Sequence, residues 1–288
     1  SGEALLGEQR FSRGFDLYHR INDTTELSNI DHYKIKTSGA GIRYGIPVTE
    51  TDTINFGLAY ERSDISLVSD SPQRYFDYVD TFGEKNTTIK GDIGWARDTR
   101  NSFFYPTKGN YQRVYGEFGL PGGDLNYYKL NYQHQWFIPM TDVFTLLLNG
   151  EVGYGGGYRN NNELPFFKNF YGGGVSSVRG FATSSLGPKD NDNRALGGDR
   201  RVVGSMELFF PLPRVKDDKS VRLSVFVDAG NVYGKGEKFD VGEFRYSTGL
   251  ALTWFSPIGP LKLSYGIPVK RKPGDRIERF QFQLGTVF

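Results

Sequence analysis

Over most of this chain, apolar side chains recur at every second residue, the period of an extended strand. In TINFGLAYE, Ile54, Phe56, Leu58 and Tyr60 share one face, and Asn55, Gly57, Ala59 and Glu61 the other. YYKLNYQHQWFI sets Tyr128, Leu130, Tyr132, Trp136 and Ile138 against Lys129, Asn131, Gln133 and Gln135, with His134 the exception on the apolar side. FTLLLNGEVGY opposes Phe144, Leu146, Leu148, Val152 and Tyr154 to Thr145, Asn149, Glu151 and Gly153. VRLSVFVD opposes Val221, Leu223, Val225 and Val227 to Arg222, Ser224 and Asp228, and the last residues oppose Phe280, Phe282, Leu284 and Phe288 to Gln281, Gln283 and Gly285. No comparable helical period occurs. The pattern predicts twelve strands, near 11–20, 34–48, 53–66, 88–98, 111–120, 125–138, 143–155, 201–210, 221–233, 244–255, 261–269 and 279–288, with 1–10 an N-terminal extension or linker.

Short turns around PVTETD, IPMTD and SPIGP alternate with longer polar loops such as 67–87, NVYGKGEKFDVGE and VKRKPGDRIE. Such alternation describes an up-and-down antiparallel meander. The longest connection runs from about 156 to 200. An all-β meander closes either as a soluble sandwich or barrel with its apolar face inward, or as a transmembrane barrel with that face outward. The other face here carries Lys, Arg, Glu, Asp, Gln and many Gly, which suits a wet lumen. Trp136, Phe137, Phe209, Phe210, Trp254, Phe255 and Phe288 cluster at strand ends beside the short turns, where an interfacial aromatic girdle would lie. The strands also reach about ten residues, enough for a tilted strand to cross hydrocarbon, against about five to six in soluble sheets. The expected fold is therefore all-β: a transmembrane antiparallel up-and-down barrel over 11–288.

Composition narrows function more than fold. The formal net charge of +2 singles out no nucleic acid or other polyanion as a partner. With no cysteine, disulfides, thiolate metal sites and cysteine nucleophiles are excluded. SGEALLGEQRF lacks the basic and apolar regions of a signal peptide, so the chain reads as a processed or shortened form. His19, His32 and His134 lack metal-ligand spacing. The glycine clusters at 154–158 and 171–174 lack the Lys-Ser/Thr of a phosphate loop, and GVSSV lacks the glycine spacing of a nucleophile elbow. No enzyme active site, cofactor site or metal site is expected.

One charge problem stands out. In RVVGSMELFF, parity sends Val202, Met206, Leu208 and Phe210 toward lipid, hence Ser205 and Glu207 into the lumen, and the same parity turns Asp228 inward on the next strand. Two neighbouring carboxylates favour a cation between them, and the planar fork of arginine suits two acceptors. The alternative is that both acids are simply hydrated, as most inward charges in a water-filled barrel are.

NFYGGGVSSVRGF (169–181), LGPK (186–189), the GG at 197–198 leading a strand that ends ELFFPLP, VDAGNVY (227–233), WFSPIGPLKLSYGIPVK (254–270) and FQFQLGTVF (280–288) follow one another in order. Together they resemble the BamA family of outer-membrane barrel assembly factors, in the superfamily that also holds TamA and the two-partner secretion transporters. The likeness covers about 11–288. It implies a bacterial outer-membrane location and a long loop folded back into the lumen, where Arg179 of Val178-Arg179-Gly180-Phe181 meets Glu207 and Asp228. It also implies that the last strand, with Phe280, Phe282, Leu284 and Phe288, is both a weak seam against the first strand and an outer-membrane targeting signal. Implied partners are outer-membrane lipids, unfolded β-barrel clients and, in the full-length family, assembly-machine lipoproteins.

The family norm is sixteen strands preceded by POTRA repeats. RFSRGFDLYHR resembles the family's fifth strand, so the first four, including the seam's usual partner, have no counterpart in the strands identified here. The function expected is insertion of β-barrel proteins through a weak seam and local bilayer perturbation. A truncated, inactive barrel fragment and a passive outer-membrane channel are the alternatives. Polypeptide secretion fits less well, because the 169–189 string matches the BamA branch more closely.

Overall fold

A computed structural model describes residues 2–6, 9–28, 30–159, 161–211, 221–256 and 259–285, with side chains from residue 11 onward except at 211 and 256. The elements are β1 (Gly2–Leu6), β2 (Gln9–Asp23), β3 (Lys34–Pro47), β4 (Asp52–Ser66), α1 (Gln73–Phe82), β5 (Lys85–Asp98), β6 (Gly109–Leu120), β7 (Tyr127–Pro139), β8 (Thr145–Gly157), β9 (Gly180–Phe181), β10 (Arg200–Pro211), β11 (Val221–Tyr233), β12 (Arg245–Ser256), β13 (Gly259–Lys270), β14 (Ile277–Glu278) and β15 (Phe280–Leu284).

Thirteen strands form one sheet in chain order, β9 and β14 pairing separately as a two-stranded patch. Every pairing in the wall is antiparallel, as short consecutive connections require. The twelve expected strands are all present. The difference lies at the N-terminus, where Gly2–Leu6 adds a strand on β2 and β2 itself begins at Gln9, so residues 1–10 are not simply a linker. Gly-Glu-Ala-Leu-Leu is too short and too little alternating to announce this. Among the described residues, β1 and β15 are not paired with each other.

The wall is inverted relative to a soluble protein. Phe15, Leu17, Phe56, Leu58, Ile93, Tyr132, Trp136, Met206, Leu250, Trp254 and Tyr265 are exposed on the outside, while Glu61, Asn86, Glu207, Ser224, Asp228, Ser247 and Gln281 are buried on the inside. Lipid is the solvent that makes this arrangement favourable. Inward charges pair across strands, Lys90 with Glu61 at 2.6 Å, and with the loop, Lys168 with Glu117 at 2.5 Å.

Parity corrects the girdle expectation. Trp136 and Trp254 face outward, but Phe137 is buried, and Phe255 and Phe209 meet side chains inside the barrel mouth. Adjacent residues on a strand cannot share a face. Phe288 lies outside the described residues.

The 67–84 connection, expected as a polar loop without helical period, holds the helix α1. Tyr75, Tyr78, Val79 and Phe82 take the helical spacing that lets one face pack against Tyr33, Leu164 and Phe166. Tyr75 stacks on Phe166 at 3.8 Å between centroids, and Tyr33 and Tyr78 meet the same ring edge-on at 5.1 and 5.3 Å. This apolar cap covers the long-loop end, which in barrels of this kind is the extracellular end.

Candidate functional site

The site is built on the inner face of β10 and β11. Their register places Ser205 opposite Asp228 and Glu207 opposite Phe226. Alternate residues on each strand share a face, so these four side chains form one tile on the lumenal surface. The β8–β10 connection folds back and sets Arg179 on top of it. The guanidinium takes Asp228 with both prongs, Nε to Oδ2 and Nη2 to Oδ1, each at 2.7 Å. Nη1 donates to Glu207 Oε2 at 2.9 Å and Nη2 to Ser205 Oγ at 3.0 Å. Its plane lies over the Phe226 ring, 3.5 Å from the centroid. Even the Arg179 backbone N–H is used, donating to Asp228 Oδ2 at 3.0 Å.

The carboxylates are satisfied from their other sides. Ser205 donates to Asp228 Oδ1 at 2.7 Å, Ser224 donates to Glu207 Oε1 at 2.5 Å, and Lys262 of β13 stands 3.9 Å from Glu207 Oε2. Two acids thus face one guanidinium and one ammonium. Arg179 and Glu207 are each 2% exposed and Asp228 is fully buried, which removes the hydrated alternative. Buried ions in this arrangement persist because each is paired and hydrogen-bonded.

Val178-Arg179-Gly180-Phe181 also reaches the terminal strand. Val178 and Phe181, both fully buried, pack with Leu186, Val203 and Ile277. Gly180–Phe181 pairs antiparallel with Ile277–Glu278 just before β15. Gln281 on β15 closes the connection, its Oε1 accepting from Gly180 N–H at 3.1 Å and its Nε2 donating to the Phe181 carbonyl at 2.7 Å. The Val178–Phe181 segment with Glu207 and Asp228, here called the latch, and the terminal strand, separate features in the sequence, are one hydrogen-bonded unit. Phe280, Phe282 and Leu284 point the other way, exposed on the outer face.

Four participants escaped the sequence reading. Phe226 is an apolar residue on the polar face, the exception that parity makes visible once sought. Lys262 and Gln281 sit on inward positions of later strands. Gly266 of β13 backs directly onto Gly180, where a Cβ would lie 2.6 Å from the Gly180 nitrogen.

The same long loop is fastened a second time near the extracellular end. Arg194 donates to Asp190, Asp70 and Asp192, each at 2.8 Å, and at 2.9 Å to His32 Nδ1. Buried Asp31 of the β2–β3 loop accepts from the Tyr75 hydroxyl of α1 and, at 3.3 Å, from Tyr171. Burial pushes the Asp31 carboxyl up to about 7, with the nearby Arg74 charge opposing and Asp190 adding to the rise. In the folded state this acid holds its proton more tightly than in the unfolded chain. Its contribution to the cap is therefore complete below about 4 and declines as pH rises to about 7. Protease cleavage within residues 24–33 is expected to be faster at pH 8 than at pH 5, and Asp31→Asn should abolish most of that difference. An unchanged pH dependence in the variant would assign it elsewhere.

Residues 5–288 match the family model of the Omp85 superfamily domain. The outer membrane protein assembly factor BamA of Neisseria meningitidis serogroup B is 42% identical over 96% of this chain. BamA of Nitratidesulfovibrio vulgaris is 29% identical over 90% of it. The chain spans 39% and 32% of the lengths of these two relatives. Among solved structures, BamA from Haemophilus ducreyi lacking POTRA domains 1–3 superposes with a TM-score of 0.87 at 30% identity, covering 94% of this chain and 58% of that one. CdiB from Acinetobacter baumannii shares the fold at a TM-score of 0.60 and 14% identity. An outward-apolar antiparallel wall, a lumenal loop pinned by its arginine, and sequence similarity along nearly the whole length agree: the chain belongs to the Omp85 superfamily.

Proposed function

We propose that the chain is the barrel of an outer-membrane protein assembly factor, one that assists the folding and insertion of other β-barrel proteins. The observation that carries this reading is the state of the terminal strand. Among the described residues β15 shares five register pairs with β13, whereas β3 and β4 share fourteen. A short, weakly held strand exposes part of its neighbour's edge, and an unpaired edge is a template for an incoming strand.

The proposed work has no covalent step. The apolar outer face beside β15 meets lipid, a parted seam offers backbone donors and acceptors, and a client strand takes them up while leaving water. Phe280, Phe282 and Leu284 would keep the seam seated in the bilayer, and the Gln281 connection to the latch would limit how far it parts. Val178, Arg179, Gly180, Phe181, Glu207 and Asp228 are on this reading structural, a fixed support against which the seam moves. Outer-membrane lipids, unfolded β-barrel clients and the lipoproteins of an assembly machine are the proposed partners.

Reconstitution tests the proposal. Liposomes carrying the chain are expected to fold a urea-denatured outer-membrane barrel client several times faster than empty liposomes, as read by heat-modifiable gel migration. Equal rates would overturn insertase activity for this chain. A large, steady single-channel conductance without any such acceleration would favour the passive channel instead.

A further inference from the structure

The β5–β6 turn, residues 99–108, is at the short-turn end and does not project away from the barrel. It is braced at its base. Asn101 Oδ1 accepts from the backbone N–H groups of Thr107 and Lys108 at 2.9 and 3.2 Å, and Arg100 grips Asp98 through two bonds of 2.9 and 2.7 Å. Gly109, at φ 107°, closes the turn where a Cβ would lie 2.3 Å from the Thr99 carbonyl oxygen. The tip then contacts the far side of the wall. Tyr105 packs on Phe255 of β12 at 4.6 Å between centroids, and Phe104 meets the same ring at 6.0 Å. Arg222 of β11 donates to the Pro106 carbonyl at 2.9 Å and lies over Tyr105 at 5.5 Å and over Phe209 of β10 at 5.9 Å.

Between β6 and β11 the sheet runs through β7, β8 and β10. With strands about 4.8 Å apart, that path follows roughly 19 Å of wall, and half of a ten-residue turn extends up to about 17 Å. The turn is thus a chord beneath β7, β8 and β10. On its β10–β11 side, the inner faces of those strands carry Glu207 and Asp228, with Arg179 set upon them. On the other, a cavity of about 740 Å³ is lined by Arg13, Asp16, Arg43, Asn55, Asp92 and Arg113.

We propose that the β5–β6 turn is a strap across the periplasmic mouth, fastened by Arg222 and Phe255, that shields the latch compartment from the periplasm while leaving the neighbouring cavity open to it. A cation–π contact, a carbonyl hydrogen bond and ring packing hold such a fastening without any buried charge pair, so it can be released and remade. Release would expose the buried latch to water from below and remove a tie between the β5–β6 and β11–β12 sides of the wall.

Because the chain has no cysteine, introduced thiols report unambiguously. Asn149→Cys, directly opposite Ser205 on the latch side, and Asn55→Cys, in the open cavity, are each exposed to a membrane-impermeant maleimide from the short-turn side of oriented vesicles. Asn55→Cys should react quickly in every background. Asn149→Cys should react slowly in the parent and about tenfold faster with Arg222→Gln and Tyr105→Ala together, the shift that losing one ring contact and one cation–π contact gives. Equal rates at Asn149→Cys in the two backgrounds, or fast labelling in the parent, would overturn the proposal. A second measurement stands if the double substitution does not fold: Tyr105→Cys with Phe255→Cys should be captured by a short bismaleimide in the assembled barrel, and failure of capture would overturn the strap.

Discussion

Replacing Arg179 by alanine is expected to destabilise the barrel by about 3–5 kcal/mol, the cost of leaving a buried charge without its partner. The substitution strips Asp228 of both side-chain donors from the guanidinium and Glu207 of one. Lys262, at 3.9 Å from Glu207, can answer only part of the exposed charge. The Phe226 ring loses its cation as well, an interaction of about 2 kcal/mol when desolvated. Burial decides the magnitude here, since the same arginine in a water-filled lumen would be worth about 1 kcal/mol or less.

The readouts are a lower temperature for the heat-modifiable gel shift and faster proteolysis within residues 156–200. Arg179→Lys should fall between, because an ammonium keeps the charge but cannot take both oxygens of Asp228 while reaching Glu207. Arg179→Ala combined with Asp228→Asn should be milder than Arg179→Ala alone, since the orphaned charge is removed with its partner. Wild-type gel behaviour in Arg179→Ala would show that the latch does not support the wall.

Glu207 and Asp228 could be found from the sequence because a strand's period leaves only two faces, and one flanking run of Val, Met, Leu and Phe decides between them. Arg179 was harder. No period governs a loop, and its place above the two acids is what the family likeness implies; in the structure its guanidinium lies 2.7 Å from Asp228 and 2.9 Å from Glu207. Phe226 was passed over for the opposite reason, since it breaks the parity rule by being apolar on a polar face. It is tolerated there because a guanidinium covers it and the ring is buried. The helix α1 stayed hidden for lack of length: one face of Tyr75, Tyr78, Val79 and Phe82 covers barely two turns, and Pro72 ahead of it offers no capping side chain. Clustering at a strand end suggests a lipid girdle for Phe255 and Phe209, but parity turns both inward. Phe209 meets Arg222 of the adjacent strand β11, whereas Phe255 meets Tyr105 of the β5–β6 turn, a contact distant in the sequence that the curvature of the sheet brings about.

Gly266→Ala should do nearly as much damage as loss of the arginine, although it removes no charge and no hydrogen-bonding group. The added Cβ would lie 2.6 and 2.8 Å from the nitrogen and Cα of Gly180 and 2.9 Å from the Arg179 carbonyl carbon. All three are backbone atoms, so no rotamer change relieves the clash. Gly180 cannot yield easily, because its φ of 86° is already in the left-handed region and Gln281 holds both its N–H and the next carbonyl. The loop must lift, and lifting carries the Arg179 N–H and guanidinium off Asp228 together. Overpacking of this kind costs about 1–3 kcal/mol, to which weakened latch bonds add. Gly150→Ala, on the outer face of β8 with nothing within 4 Å, is the matched control and should leave the gel shift unchanged. If Gly266→Ala and Gly150→Ala unfold at the same temperature, the close approach of Gly180 to β13 does not hold the arginine in place. If Gly266→Ala alone is destabilised, and Arg179→Ala adds little further loss to it, then both substitutions act through one coupled unit. The terminal strand belongs to that unit through Gln281, so both variants should also release β15, seen as faster hydrogen exchange at Phe280–Leu284.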